Sequence, residues 1–95
     1  MSAKVKIIGG IKEIDPEQRV NPTMRKKSVF IETSGSKPHT YEVSFWNQKI
    51  DLLKDFTEGS NVEVECYLNG KYFNNGEKKG TFLSLNADTI IESNV

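Results

Sequence analysis

One cysteine and one histidine in 95 residues close off several routes at once. Without a second cysteine the chain makes no internal disulfide. A lone histidine and a lone thiol cannot build a structural zinc cluster. Cys66 lies in the alternating run Val62, Val64, Cys66, which marks a buried structural thiol rather than a reactive one. No apolar run approaches the ~20 residues of a membrane-spanning helix, and the N-terminus lacks the apolar centre of a signal peptide. A cytoplasmic protein with no membrane contact is therefore expected. There is no P-loop, no histidine set beside an acid and a nucleophile, and no metal-ligand spacing, so no enzyme, cofactor or metal is expected. Net charge is missing too, with 13 basic residues against 13 acidic ones. A general polycation is excluded, and net charge alone gives no reason to expect a nucleic-acid partner.

What is present is patterned. The length suits one domain over residues 1–95. Residues 1–27 carry seven basic and three acidic side chains, whereas residues 28–70 carry three basic and seven acidic ones. A neutral total can thus hide one positive and one negative face.

Ala3 to Ile8 alternates charged and apolar residues, the signature of a half-buried strand. Gly9-Gly10 interrupts it before Ile11 to Ile14 resumes. That pair fits either a bend in a long strand shared by both halves of a barrel or an ordinary hairpin turn. Asp15 to Met24, with Pro16, Asn21 and Pro22, is expected to be a long loop ending in Arg25-Lys26-Lys27. Ser28–Thr33 and His39–Trp46 read as a hairpin, with Val29, Ile31, Tyr41, Val43 and Phe45 inward. Asn47 to Phe56 changes period, with Ile50, Leu52, Leu53 and Phe56 apolar and Asn47 a suitable N-cap, so a short helix of about ten residues is expected. Val62–Leu68 returns to alternation. Tyr72 to Gly80 holds Asn74-Asn75-Gly76 and reads as a hairpin tip. Thr81–Ile91 is the last strand, with Leu83, Leu85 and Ala87 expected inward. Three strands, a helix and two more strands match an all-β, five-stranded OB-fold Greek-key barrel with one short helix between strands 3 and 4.

The stretch Tyr41-Glu42-Val43-Ser44-Phe45-Trp46-Asn47-Gln48-Lys49, followed by Phe56-Thr57-Glu58-Gly59, resembles the bacterial single-stranded DNA-binding protein family. Val62 through Phe73 and the closing Ala87-Asp88-Thr89-Ile90 continue the likeness. Phe45-Trp46 and Gly70-Lys71-Tyr72-Phe73 are similar to the short bacterial and phage branch of single-stranded DNA-binding-like proteins. The resemblance implies an OB fold that coats single-stranded DNA during replication, recombination or repair. Two departures stand out. The family's linker and acidic C-terminal recruitment tail are not expected here, and a position that is often tryptophan is Phe73.

Sequence-tolerant binding of a single strand combines base stacking on aromatics with cations that follow the phosphates. Alternation nominates Trp46 and Phe30, opposite the core residues of their strands, Tyr72 and Phe73 in the last hairpin, and Phe82, out of phase with Leu83. Arg25, Lys26, Lys27, Lys49, Lys71, Lys78 and Lys79 are the cationic companions. Trp46 also fits as a cap on the barrel end, and Phe30 as packing under the helix. Tyr41 and Phe45 are expected to be structural, and His39 an exposed strand residue. Single-stranded DNA is the expected partner, with homo-oligomerisation through an edge strand. The alternatives are an OB module that docks a replication or recombination enzyme and a cold-shock-type RNA binder.

Overall fold

A computed structural model describes residues 3–94, and in it the alternating runs become strands. In chain order these are β1 (Ala3–Ile14), β2 (Gln18–Asn21), β3 (Met24–Glu32), β4 (Thr40–Trp46), β5 (Asn61–Asn74) and β6 (Lys79–Glu92). A 3-10 helix, Asn47–Asp55, joins β4 to β5. β1 pairs antiparallel with β5 from Ala3 to Gly10 and with β3 from Gly10 to Ile14, so one strand serves both halves of the barrel. β3 pairs with β4 and β5 with β6, both antiparallel. A short parallel seam, Val43 opposite Leu85 and Ser44 opposite Asn86, closes the sheet between β4 and β6. Apart from the four-residue β2, this is the five-stranded OB Greek key, with its helix after the third long strand.

The glycine pair is the bend, not a hairpin turn. A Cβ at Gly9 would press on the carbonyl of Glu32, so only glycine lets β1 pass that close to β3. The pairing register then slips between Ile11 and Glu13, which completes the change of partner.

The core is small and mostly aliphatic. Val29, Ile31, Val43, Phe45, Val62, Val64 and Cys66 are fully buried, and Ile7, Ile11, Ile50, Leu53, Ala87 and Ile90 complete it. Burial pushes the Cys66 thiol up to about 11, so it stays protonated at neutral pH and is a packing residue. A bulge in β6 near Cys66 explains why Ala87 and Ile90, three apart, both point inward.

Several expectations need correction. Residues 15–24 are not all loop, because Gln18–Asn21 pairs with β3 and places Arg25-Lys26-Lys27 inside a strand. The expected short helix is present, as a 3-10 helix of nine residues, but Asn47 does not cap it through its side chain. Asn47 sits in the left-handed region at φ 51°, where its Oδ1 accepts the Arg25 backbone N–H at 3.0 Å. Its side chain is thus engaged by β3, not by the helix. Leu52 lies on the open side of that helix, and Tyr41 is exposed near the mouth of the barrel. Leu83 keeps the inward phase yet is 68% exposed, because β6 has left the barrel there. The supposed tip at Tyr72–Gly80 is mostly ladder, since β5 runs on to Asn74 and only Asn75–Lys78 turns.

Candidate nucleic-acid interface

Strand phase sorts the aromatic residues onto two surfaces. β5 alternates Val62, Val64 and Cys66 into the core, so Tyr67, Asn69, Lys71 and Phe73 face outward. Their neighbours across the ladder are Asn86, Ser84, Phe82 and Gly80 on β6. Trp46, at the end of β4, joins this face through its side chain. Its Nε1–H donates to Asn86 Oδ1 at 2.8 Å. The Asn86 amide in turn donates to Asn69 Oδ1 at 2.7 Å and to Ser84 Oγ at 3.3 Å. These bonds fix the plane of the indole and lay a polar strip from it toward the free end of the β5–β6 ribbon.

At that end Phe73 and Phe82 stack, with ring centroids 4.6 Å apart and 29° between planes. Gly80 makes the contact possible, since a Cβ there would sit 3.0 Å from the Phe73 ring. Phe82 is 65% exposed, so the pair presents an aromatic platform to solvent. At the other end Lys26 lies opposite Trp46 in the β3–β4 ladder, its Nζ 5.8 Å from the indole ring. Phe30 is half-buried on the outer side of β3, opposite Glu42.

The nominated residues do not all converge. Trp46, Phe73, Phe82, Lys26 and Lys71 share the outer face. Tyr72 is exposed on the other side of the ribbon, next to Leu83. Lys27 alternates away from Lys26. Lys49 donates to the Asp88 backbone carbonyl at 2.9 Å and pairs with its carboxylate at 3.4 Å, so its charge is compensated. Lys78 and Lys79 stand at the exposed ribbon tip.

Asn86, Asn69 and Tyr67 were not nominated from sequence. Tyr67 was readable by phase, because Cys66 before it points inward; Lys4 Nζ lies 5.4 Å from its ring. Lys4 also bonds Asp88 at 3.1 Å. That hydrogen bond, helped by Lys49, holds the Asp88 carboxyl below the usual carboxylate range. No motif marks Asn86, whose role comes from the parallel seam that sets it beside Trp46.

A groove of about 770 Å³ lies among β1, β3, β4, β5 and β6, and its lining includes Lys26 and Ser84 of the outer face. Val5, Ile7, Tyr41, Leu68, Leu83 and Leu85 are among its lining. Among the described residues no helix is long and apolar enough to cross a membrane.

Known structures share this architecture. The mitochondrial single-stranded DNA-binding protein Rim1 of S. cerevisiae, in crystal form 1, superposes with a TM-score of 0.78 at 24% identity, covering 97% of this chain and 96% of that one. Form 2 gives 0.75 at 23% identity, and its selenomethionine-labelled version 0.76 at 25%, each covering 97% of this chain and 95% of that one. No curated protein sequence matches. The model of a domain of unknown function, DUF3127, matches residues 6–90, nearly the whole barrel, and the chain belongs to that family.

Proposed function

We propose that this protein binds single-stranded DNA without strong sequence preference and coats it during replication or recombination. One observation carries the reading: a single outer face joins the Trp46 indole to the Phe73–Phe82 platform through the Asn86–Asn69 amides, with Lys26 and Lys71 beside it. Stacking accepts any base, and each stacked base contributes roughly 1–3 kcal/mol. The likeness to Rim1, a single-stranded DNA-binding protein, supports the same reading. Binding of this kind needs no catalytic group, and the protein is read as a binding protein rather than an enzyme.

The open edge of β1 over Ala3–Gly9, together with exposed Tyr72 and Leu83, supports self-association on the side away from this face. Sedimentation across a concentration series tests that part.

Fluorescence titration tests the central claim. Oligo-dT is expected to quench Trp46 and to bind more tightly than duplex or oligo-U, with log affinity falling by about 0.7 per phosphate contact against log salt. Absence of binding to oligo-dT at low salt refutes it, and tighter binding to oligo-U turns it into an RNA reading.

A further inference from the structure

The β2–β3 hairpin sets two guanidinium-bearing residues directly opposite each other. Arg19 and Arg25 are direct cross-strand partners, and like charges facing each other across a ladder are destabilising. All four residues of β2 are exposed, so no burial offsets that repulsion. The pair is nonetheless held in position. Thr23 donates to Asn21 Oδ1 through its backbone N–H at 3.0 Å and its hydroxyl at 3.1 Å, which pins the turn. Arg19 Nη1 donates to the Pro22 carbonyl at 3.0 Å. Arg25 Nη1 pairs with Glu17 Oε1 at 3.3 Å and is the only one of the two with an ion pair among the described residues. The charge of Arg19 is oriented but not neutralised.

We infer that Arg19 and Arg25 form a phosphate clamp that grips the backbone of the bound strand where it leaves the aromatic face. This rests on the single-strand reading above and adds a site to it. Guanidinium forks match the paired oxygens of a phosphodiester better than an ammonium does. One phosphate between the two forks replaces the repulsion with two charge-assisted contacts. Glu17 occupies the Arg25 side of the site in the free protein and leaves when phosphate arrives. Strand alternation sets Lys26 and the Arg19–Arg25 pair on opposite faces of the hairpin, so the strand passes over its edge instead of ending at Trp46.

The test measures affinity against salt for an oligo-dT of about thirty nucleotides, longer than the ~4–16 covered by one OB fold. An abasic strand of equal length serves as the second probe. Arg19→Ala and Arg25→Ala are each expected to reduce the log–log salt slope on both probes, and the double variant by about 0.7, because the contact is to one phosphate and not to bases. Glu17→Gln is expected to tighten binding roughly 2–5-fold at low salt, the strength of the exposed ion pair that no longer has to break. This opposite sign is one that damage to the fold does not produce. Unchanged slopes in both arginine variants, or weaker binding by Glu17→Gln, overturn the clamp while wild-type binding to oligo-dT leaves the broader reading intact. If the wild type ignores oligo-dT, both fall together.

Discussion

The two halves of β5 share one alternation and meet opposite fates. From Val62 to Cys66 every second side chain is fully buried, whereas from Leu68 to Phe73 none is. The first half lies between β1 and β6 over the core, and the second has only β6 beside it beyond Ala3. Burial therefore follows from closure of the sheet, not from the pattern alone. The closed half holds the fold together, and the open ribbon leaves its aromatics free to meet a ligand.

Phe45→Ala strikes the closed half hardest. It empties a fully buried ring site and is expected to cost about 3–5 kcal/mol, read from urea unfolding, a large share of the roughly 5–15 kcal/mol a domain has. Phe82→Ala does the reverse. Loss of its stack with Phe73 is expected to cost only about 0.5–1.5 kcal/mol of stability. Oligo-dT affinity should drop by about 1–3 kcal/mol in the fluorescence titration. If Phe82→Ala unfolds the protein or leaves affinity unchanged, the division of labour between the two halves is wrong.

Gly9→Ala probes the join between them. The added methyl meets backbone at Glu32 rather than a movable side chain, so a loss of about 1–3 kcal/mol in thermal or urea unfolding is expected.

The smallest effect is at Asp88, outside the core. Its carboxyl is lowered chiefly by the hydrogen bond from Lys4. The unfolded chain therefore takes up its proton at higher pH than the folded one. The stability that Asp88 contributes is fully present above the ordinary carboxylate value and is lost as pH falls through the lowered one. Asp88→Asn should flatten the acid limb of stability against pH while leaving Phe45→Ala as costly as before.

The barrel was legible because its strands are half-buried and obey period two, and because one change of period between Trp46 and Phe56 marks the helix. Cys66 was readable for the same reason, whereas Gly9-Gly10 marked a break in the alternation without deciding between a bend and a hairpin turn. Phase also put Trp46 and Phe82 on the outer side, whereas Phe73 was nominated by its place in a polar hairpin. Phase misplaced Leu83, since a pattern states which face a residue takes but not where the covering layer stops. β2 was invisible because Gln18–Asn21 has no apolar alternation and buries nothing. Its pairing, and with it the position of Arg19, arises from the hairpin's register. Asn86 was beyond reach for a related reason: its contact with Trp46 spans 40 residues of sequence.

The parallel seam between β4 and β6 also bears on how the molecule assembles. The β3–β4 and β5–β6 hairpins need only short loops to close, whereas the seam joins segments some 40 residues apart. The hairpins are expected to form early and the seam late, so the Trp46–Asn86 bond becomes a reporter of the final folding step. A strand lying across that face ties the two hairpins together after they have met, and it should slow unfolding more than it speeds folding.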